Sequence, residues 1–197
     1  MSSPEGGERD GAFRVLIPAE EIQKRIREMG RQITEDYQGR RIVLISVLKG
    51  GFIFLADLIR HIALPLDVDF IAASSYPTSS TSTGTVRFVM DAEIEIQGRD
   101  VLIVEDIVDS GLTLEMICGR LMTRRPASLK VCTLLNKSSR RVAQVSVEYS
   151  GFDIEDYFVI GYGLDYAERF RNLPDIGIVD DLEESLKRDL EKERVCV

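Results

Sequence analysis

Residues 101–113, VLIVEDIVDSGLT, constrain this chain more than any other stretch. Four apolar, β-forming residues run into the adjacent carboxylates of Glu105 and Asp106. A third carboxylate, Asp109, follows three residues later, then Ser110, Gly111 and Thr113, and a helical pattern starts at once. A continuous apolar run is the mark of a buried parallel strand. The carboxyl end of such a strand is where open α/β sheets bind ligands. The turn can aim backbone N–H groups at a phosphate, and the helix N-terminus behind it favours an anion. The acids cannot hold that phosphate; they suit hydroxyls, a hard cation or a proton. A sugar phosphate satisfies both halves, with phosphate in the turn and ribose hydroxyls on the acids.

The remaining periodicities build a matching frame. Pro18 opens a helix along which Ile22, Ile26, Met29, Ile33 and Tyr37 recur at helical spacing, and Gly39 stops it. Residues 42–47 form a buried strand, Lys49-Gly50-Gly51 a turn, and Phe52, Leu55 and Ile59 the inner face of a second helix. Residues 66–73, 85–90, 93–96, 101–104, 130–135 and 158–160 read as further strands. Leu114, Ile117, Cys118 and Leu121 mark the helix after the central strand, which Pro126 closes. Strands and helices alternating in this way predict an α/β fold with a doubly wound, mostly parallel sheet and a small C-terminal/N-terminal hood, its C-terminal part from the residues after about 136. Residues 1–12 read as a mobile tail, 13–180 as one domain and 181–197 as a charged helix with Leu182, Leu186 and Leu190 every four residues. Residues 74–84 are nearly all Ser, Thr, Gly or Pro. A polar loop of that length inside a compact domain is usually functional or a disordered connection.

Composition excludes several classes. The net charge of -8 argues against a nucleic-acid surface. No apolar stretch is long enough to span a membrane, and the N-terminus has no secretory h-region. Three irregularly spaced cysteines, Cys118, Cys132 and Cys196, and a single histidine, His61, provide neither a disulfide framework nor an ordinary zinc cluster. A reducing, cytoplasmic setting is expected.

The 101–113 segment resembles the phosphoribosyl-pyrophosphate (PRPP) motif of the phosphoribosyltransferases, in the form carried by the bacterial-type hypoxanthine-guanine members. The likeness runs from about residue 13 to 180 and implies the type I phosphoribosyltransferase fold. It implies that Glu105, Asp106, Ile107, Val108, Ser110, Gly111, Leu112 and Thr113 meet the ribose and its 5′-phosphate. Leu48, Lys49 and Gly50 resemble the pyrophosphate loop, with a non-proline cis bond before the lysine, and Arg171 resembles a second pyrophosphate ligand. Lys137 would read the exocyclic oxygen of a 6-oxopurine, since an ammonium only donates. Phe158 would stack on the base and Val159 meet its polar edge. Asp165 would lie beside the base and contact a magnesium-bound water, and Glu105, Asp106 and Asp165 would together serve Mg²⁺. Ser75 and Tyr76 open a loop that closes over the reacting centre.

Two departures stand out. Pro77 follows Tyr76 where bacterial relatives often have glycine, and Leu112 stands where some members carry lysine. The implied reaction is purine salvage: transfer of 5-phosphoribosyl from PRPP to hypoxanthine or guanine, with Asp109 accepting the N7 proton. A homo-oligomer, dimer or tetramer, is implied as well. A xanthine-preferring transferase is an alternative, as is a regulatory protein on the same fold, although the acidic charge and the complete residue set favour catalysis. Without the family, Lys137 reads as a surface lysine, Phe158 as core, Asp109 as a helix cap and Asp165–Arg171 as a loop charge pair.

Overall fold

The computed structural model describes residues 13–75 and 86–179. Two compact units divide the chain, one spanning Lys24–Asp156 and the other formed by the residues before and after it.

The larger unit is built on a six-stranded sheet. Its strands are β2 (Ile42–Leu48), β3 (Leu66–Ser75), β4 (Val86–Met90), β5 (Asp100–Val108), β6 (Ser128–Asn136) and β7 (Tyr149–Asp153), in the order β4-β3-β2-β5-β6-β7. All pairs are parallel except β3 with β4. Helix α2 (Phe52–Leu58) links β2 to β3, and α3 (Leu112–Met122) links β5 to β6. These crossovers leave the centre in opposite directions. Because such connections are right-handed, the two helices cover opposite faces. The point of reversal lies between β2 and β5, so a crevice opens at their carboxyl ends.

Side-chain alternation fills both faces. Val43, Ile45, Val47, Val101 and Ile103 join Leu114, Ile117 and Leu121 of α3 in one core, while Ile42, Leu44, Leu102 and Val104 are buried with opposite parity. Helix α1 (Ala19–Asp36) buries Ile22, Ile26, Met29 and Ile33 completely, as its periodicity predicts. Tyr37 is also buried but lies one residue past the helix, before Gly39 turns the chain at φ 75°.

The smaller unit holds a three-stranded antiparallel sheet, β1 (Arg14–Ile17), β9 (Ile176–Ile178) and β8 (Val159–Ile160), in that order. Asp175 Oδ1 accepts the N–H of Ala19 at 2.8 Å and so serves an orphan donor at the start of α1.

Four sequence expectations change. Residues 93–96 form no strand: the N–H groups of Glu93 and Ile94 both go to Asp69 Oδ2 at 2.8 Å instead of to a ladder. The C-terminal part of the hood does not begin near residue 136, because β7 extends the main sheet beside β6; it starts at Tyr157, while β1 supplies the expected N-terminal part. The α3 helix ends at Met122, four residues before Pro126. The central strand runs to Val108 rather than ending at 104, so Glu105 and Asp106 lie within it. The tail 1–12, Tyr76 and most of the 74–84 loop, and the 181–197 helix lie outside the described residues.

Candidate active site

Three turns meet the carboxyl ends of adjacent strands. The turn after β2 carries Lys49, Gly50 and Gly51, the segment after β5 carries Asp109, Ser110 and Gly111, and β6 passes into Lys137. The crevice encloses about 640 Å³ including its open mouth. It is lined by Leu48 and Gly50 on one side and by residues 105–111 with Thr113 on the other. Most of the PRPP segment is thus brought to one wall. Leu112 is the exception; it is exposed as the first residue of α3, so only its backbone can serve a ligand there.

The phosphate half of the cradle follows from Gly111. It takes the left-handed conformation (φ 81°), and a Cβ there would sit 2.9 Å from Arg141 Cδ. No side chain caps α3; Ser110 Oγ comes only to 3.5 Å from the Leu112 N–H. The first N–H groups of the helix therefore remain available for an anion. The carbonyl of Ser110 is held from behind by the N–H groups of Val142 and Ala143, at 2.9 and 3.0 Å.

The acidic half is more constrained than two adjacent carboxylates suggest. On a strand, successive side chains leave by opposite faces. Asp106 rests over Gly50, so closely that a Cβ on Gly50 would lie 1.6 Å from Asp106 Oδ2. Glu105 keeps its Oε2 shut from solvent with no hydrogen-bond partner. Burial, and then the charge of Asp106, push the Glu105 carboxyl well above its usual range. The Leu48–Lys49 bond is cis, as the resemblance implies.

Lys137 is not a surface lysine: it is buried. Its N–H donates to Val108 O at 2.9 Å, pinning the turn to the end of β5. A buried ammonium requires a counter-charge, and Lys137 Nζ lies 3.5 Å from Asp156 and 3.8 Å from Asp109. Arg140 closes the set, with Nε 3.1 Å from Asp109 Oδ1 and Nη1 2.8 Å from Asp156 Oδ2. Arg140 and Asp156 were not singled out in the sequence. The signal for Arg140 was the Lys-x-x-Arg spacing, which a 3₁₀ turn at Ser138–Arg140 turns into neighbours; Asp156 is brought in only by the fold.

The smaller unit carries the other candidates. Phe158 is 43% exposed, unusual for a residue next to an apolar strand, and meets Tyr166 edge-to-face at 5.5 Å. Val159 is buried in β8. Asp165 and Arg171 do form the i to i+6 pair, at 2.8 Å; Arg171 also donates to Gly163 O, and Asp165 accepts the N–H of Glu168. Ser75 lies at the end of β3, opposite Val86.

A doubly wound sheet with an uncapped helix and paired acids at its switch point defines a phosphoribosyl-transfer domain, and residues 18–167 match the Phosphoribosyl transferase domain family. The hypoxanthine-guanine phosphoribosyltransferase of Mycobacterium avium is 54% identical over 172 residues, 84% of this chain and 85% of that protein. The Salmonella typhimurium hypoxanthine phosphoribosyltransferase is 51% identical, covering 86% and 97%. A solved Staphylococcus aureus hypoxanthine phosphoribosyltransferase matches with TM-score 0.81 at 45% identity over 84% and 90% of the two chains. The Trypanosoma cruzi hypoxanthine phosphoribosyl transferase, solved to study the role of its C-terminal region on oligomeric state and activity, matches with TM-score 0.84 at 42% identity over 93% and 99%. The chain belongs to the hypoxanthine-guanine phosphoribosyltransferase family.

Proposed function

We propose that this protein transfers the 5-phosphoribosyl group of PRPP to N9 of hypoxanthine or guanine, giving IMP or GMP and pyrophosphate. The observation that carries this reading is the crevice after β5, where uncapped helix amides stand beside Asp109 and the paired acids. The amides around Gly111 hold the 5′-phosphate. Asp106 and Glu105 face the ribose hydroxyls. Cleavage of the C1–O bond places positive charge on the ribose ring, as in glycoside hydrolysis. Negative charge grows on the pyrophosphate, which Lys49, Arg171 and backbone N–H groups stabilise.

Lys137 donates to the purine O6 and Asp109 takes the N7 proton. Their 3.8 Å separation suits the neighbouring O6 and N7 on one edge of the base. An ammonium cannot accept from an exocyclic amino group, so adenine is disfavoured. Phe158 supplies an exposed ring for the base, with Val159 at its polar edge.

Mg²⁺ fits this donor set. Among the described residues no three potential ligands cluster, yet Glu105, with a buried and unpartnered oxygen, and Asp106 both line the crevice. Such a pair suits an ion that draws its remaining ligands from substrate and water. Bound there, the ion would supply positive charge against the leaving pyrophosphate, and Asp165 would be the further residue that helps to hold it. Residues 13–180 act as the catalytic domain, in a cytoplasmic homo-oligomer. No helix of the described residues is long and apolar enough to cross a membrane.

The test is an absorbance assay with Mg-PRPP and hypoxanthine, guanine, xanthine and adenine in turn. Turnover with hypoxanthine or guanine is expected. Activity with none of the four would refute the proposal in favour of a regulatory role. Asp109→Asn should reduce kcat at least 100-fold, the lower end of the usual range for a general base of about 10²–10⁴. PRPP affinity should stay within a few-fold.

A further inference from the structure

We propose that Arg140 is a positioning residue for phosphoribosyl transfer, holding Asp109 ready for the purine while Asp156 holds Arg140. The inference rests on Asp109 being the proton acceptor. Ser138–Arg140 is a single 3₁₀ turn led by Lys137, and Arg140 N–H donates to Lys137 O at 3.2 Å. Side chains three apart on such a turn eclipse, so both cations are presented on one side. The turn is fastened to Val108, the residue before Asp109.

Asp109 then has two cationic neighbours, one at each oxygen. Lys137 Nζ stands 3.8 Å from Oδ2 and Arg140 Nε stands closer, 3.1 Å from Oδ1, both as ion-pair contacts that leave the buried Oδ1 without a hydrogen bond. When Lys137 turns to the purine O6, Arg140 is the cation still in contact with the Asp109 carboxylate. The guanidinium can do this because its charge spans both acids: Nη1 donates to Asp156 Oδ2 at 2.8 Å, while Nε stays in ion-pair contact with Asp109 Oδ1, a buried oxygen with no hydrogen-bond partner of its own. A lysine is a single point charge and cannot bridge the two in a fixed geometry. Arg140, Asp109 and Asp156 are each about half exposed, so the bridge adds little to folding stability. Its effect falls on the orientation of Asp109.

Steady-state kinetics with Mg-PRPP and hypoxanthine decide the matter, using Arg140→Ala, Arg140→Lys, Asp156→Asn, Asp109→Asn and the Asp109→Asn/Arg140→Ala double variant. Arg140→Ala should lower kcat about tenfold or more, short of the roughly 100-fold that a displaced catalytic group can cost. KM for PRPP and the melting temperature should hold. Arg140→Lys should recover only part of the loss, and Asp156→Asn should lower kcat with the guanidinium still present. In the Asp109→Asn background, Arg140→Ala should have no further effect. Wild-type kcat in Arg140→Ala, or an equal factor in both backgrounds, overturns the inference. If Arg140→Ala lowers the melting temperature, Asp156→Asn decides, and an unchanged kcat overturns it. Wild-type kcat in Asp109→Asn would instead remove the reading beneath it.

Discussion

Replacing Gly50 by alanine separates the chemistry of this site from its stability. The new Cβ would lie 1.6 Å from Asp106 Oδ2 and 2.4 Å from Cγ, whereas real Cβ atoms stay at 3.0 Å or more. The Asp106 carboxylate must therefore retreat by at least 1.4 Å (from 1.6 to 3.0 Å). The displaced atoms are the end of a side chain at an open crevice, so the fold yields locally. Stability should drop by no more than about 1 kcal/mol, at the low end of overpacking costs, or about 2–4 °C in Tm for a chain of this size. Catalysis is less tolerant. A 1 Å misplacement of a catalytic group costs about 100-fold, equivalent to about 2.7 kcal/mol of transition-state stabilisation. The expected result is a fall of about 100-fold or more in kcat/KM for PRPP with little change in Tm. Gly51→Ala is the control. Its Cβ would meet the fully buried Ser46 Oγ at 2.7 Å and the Val47 carbonyl at 3.0 Å, groups that cannot swing into solvent. That variant should lose about 1–3 kcal/mol of stability. Gly50→Ala with kcat/KM within threefold of wild type, or with a Tm loss matching Gly51→Ala, would refute the reasoning.

Other consequences can be checked separately. Phe158→Ala should raise KM for the purine by about 5- to 150-fold, the equivalent of the roughly 1–3 kcal/mol that aromatic stacking on a base provides, while Tm falls only modestly because the ring is 43% exposed and loses chiefly its edge-to-face contact with Tyr166. Equal KM values would exclude Phe158 as the platform. Glu105→Gln should lose most activity yet stabilise the metal-free protein above mild acid. The folded Glu105 carboxyl titrates well above the 4.5 of the unfolded chain. The native state therefore keeps a proton that the unfolded state releases, and wild-type stability falls as pH rises from about 4.5 towards the folded value. One proton sets the limiting slope, about 1.4 kcal/mol per pH unit. Thermal melts in EDTA should show the Gln variant pulling ahead of wild type as pH rises above 4.5; parallel curves from pH 4 to 8 would contradict this.

Much of the frame was legible because it rests on local pattern. The α1 stripe, the buried runs of β2, β5 and β6 and the α3 face are periodicities in apolar residues, and each element lies close to where that pattern puts it. What was not legible depended on partners distant in sequence. Residues 93–96 have the composition of a strand, but their N–H groups find Asp69 some 24 residues away. Strand β7 reads as loop until β6 pairs with it. Short β1 and β9 carry too few residues for a period and exist because they pair with each other across the chain.

The site divides in the same way. The chain's order of residue types alone determined which chemistry was at hand: an apolar strand delivering carboxylates to a Ser-Gly turn, because strand, turn and helix start are consecutive and local propensity decides them. Tertiary structure decided how those groups are used. It carried β5 through Glu105 and Asp106 and so parted the two carboxylates, one over Gly50 and one shut from water. It also buried Lys137 and drew Asp109, Arg140 and Asp156 around it, since a charge removed from solvent must be matched by charges that only folding brings close.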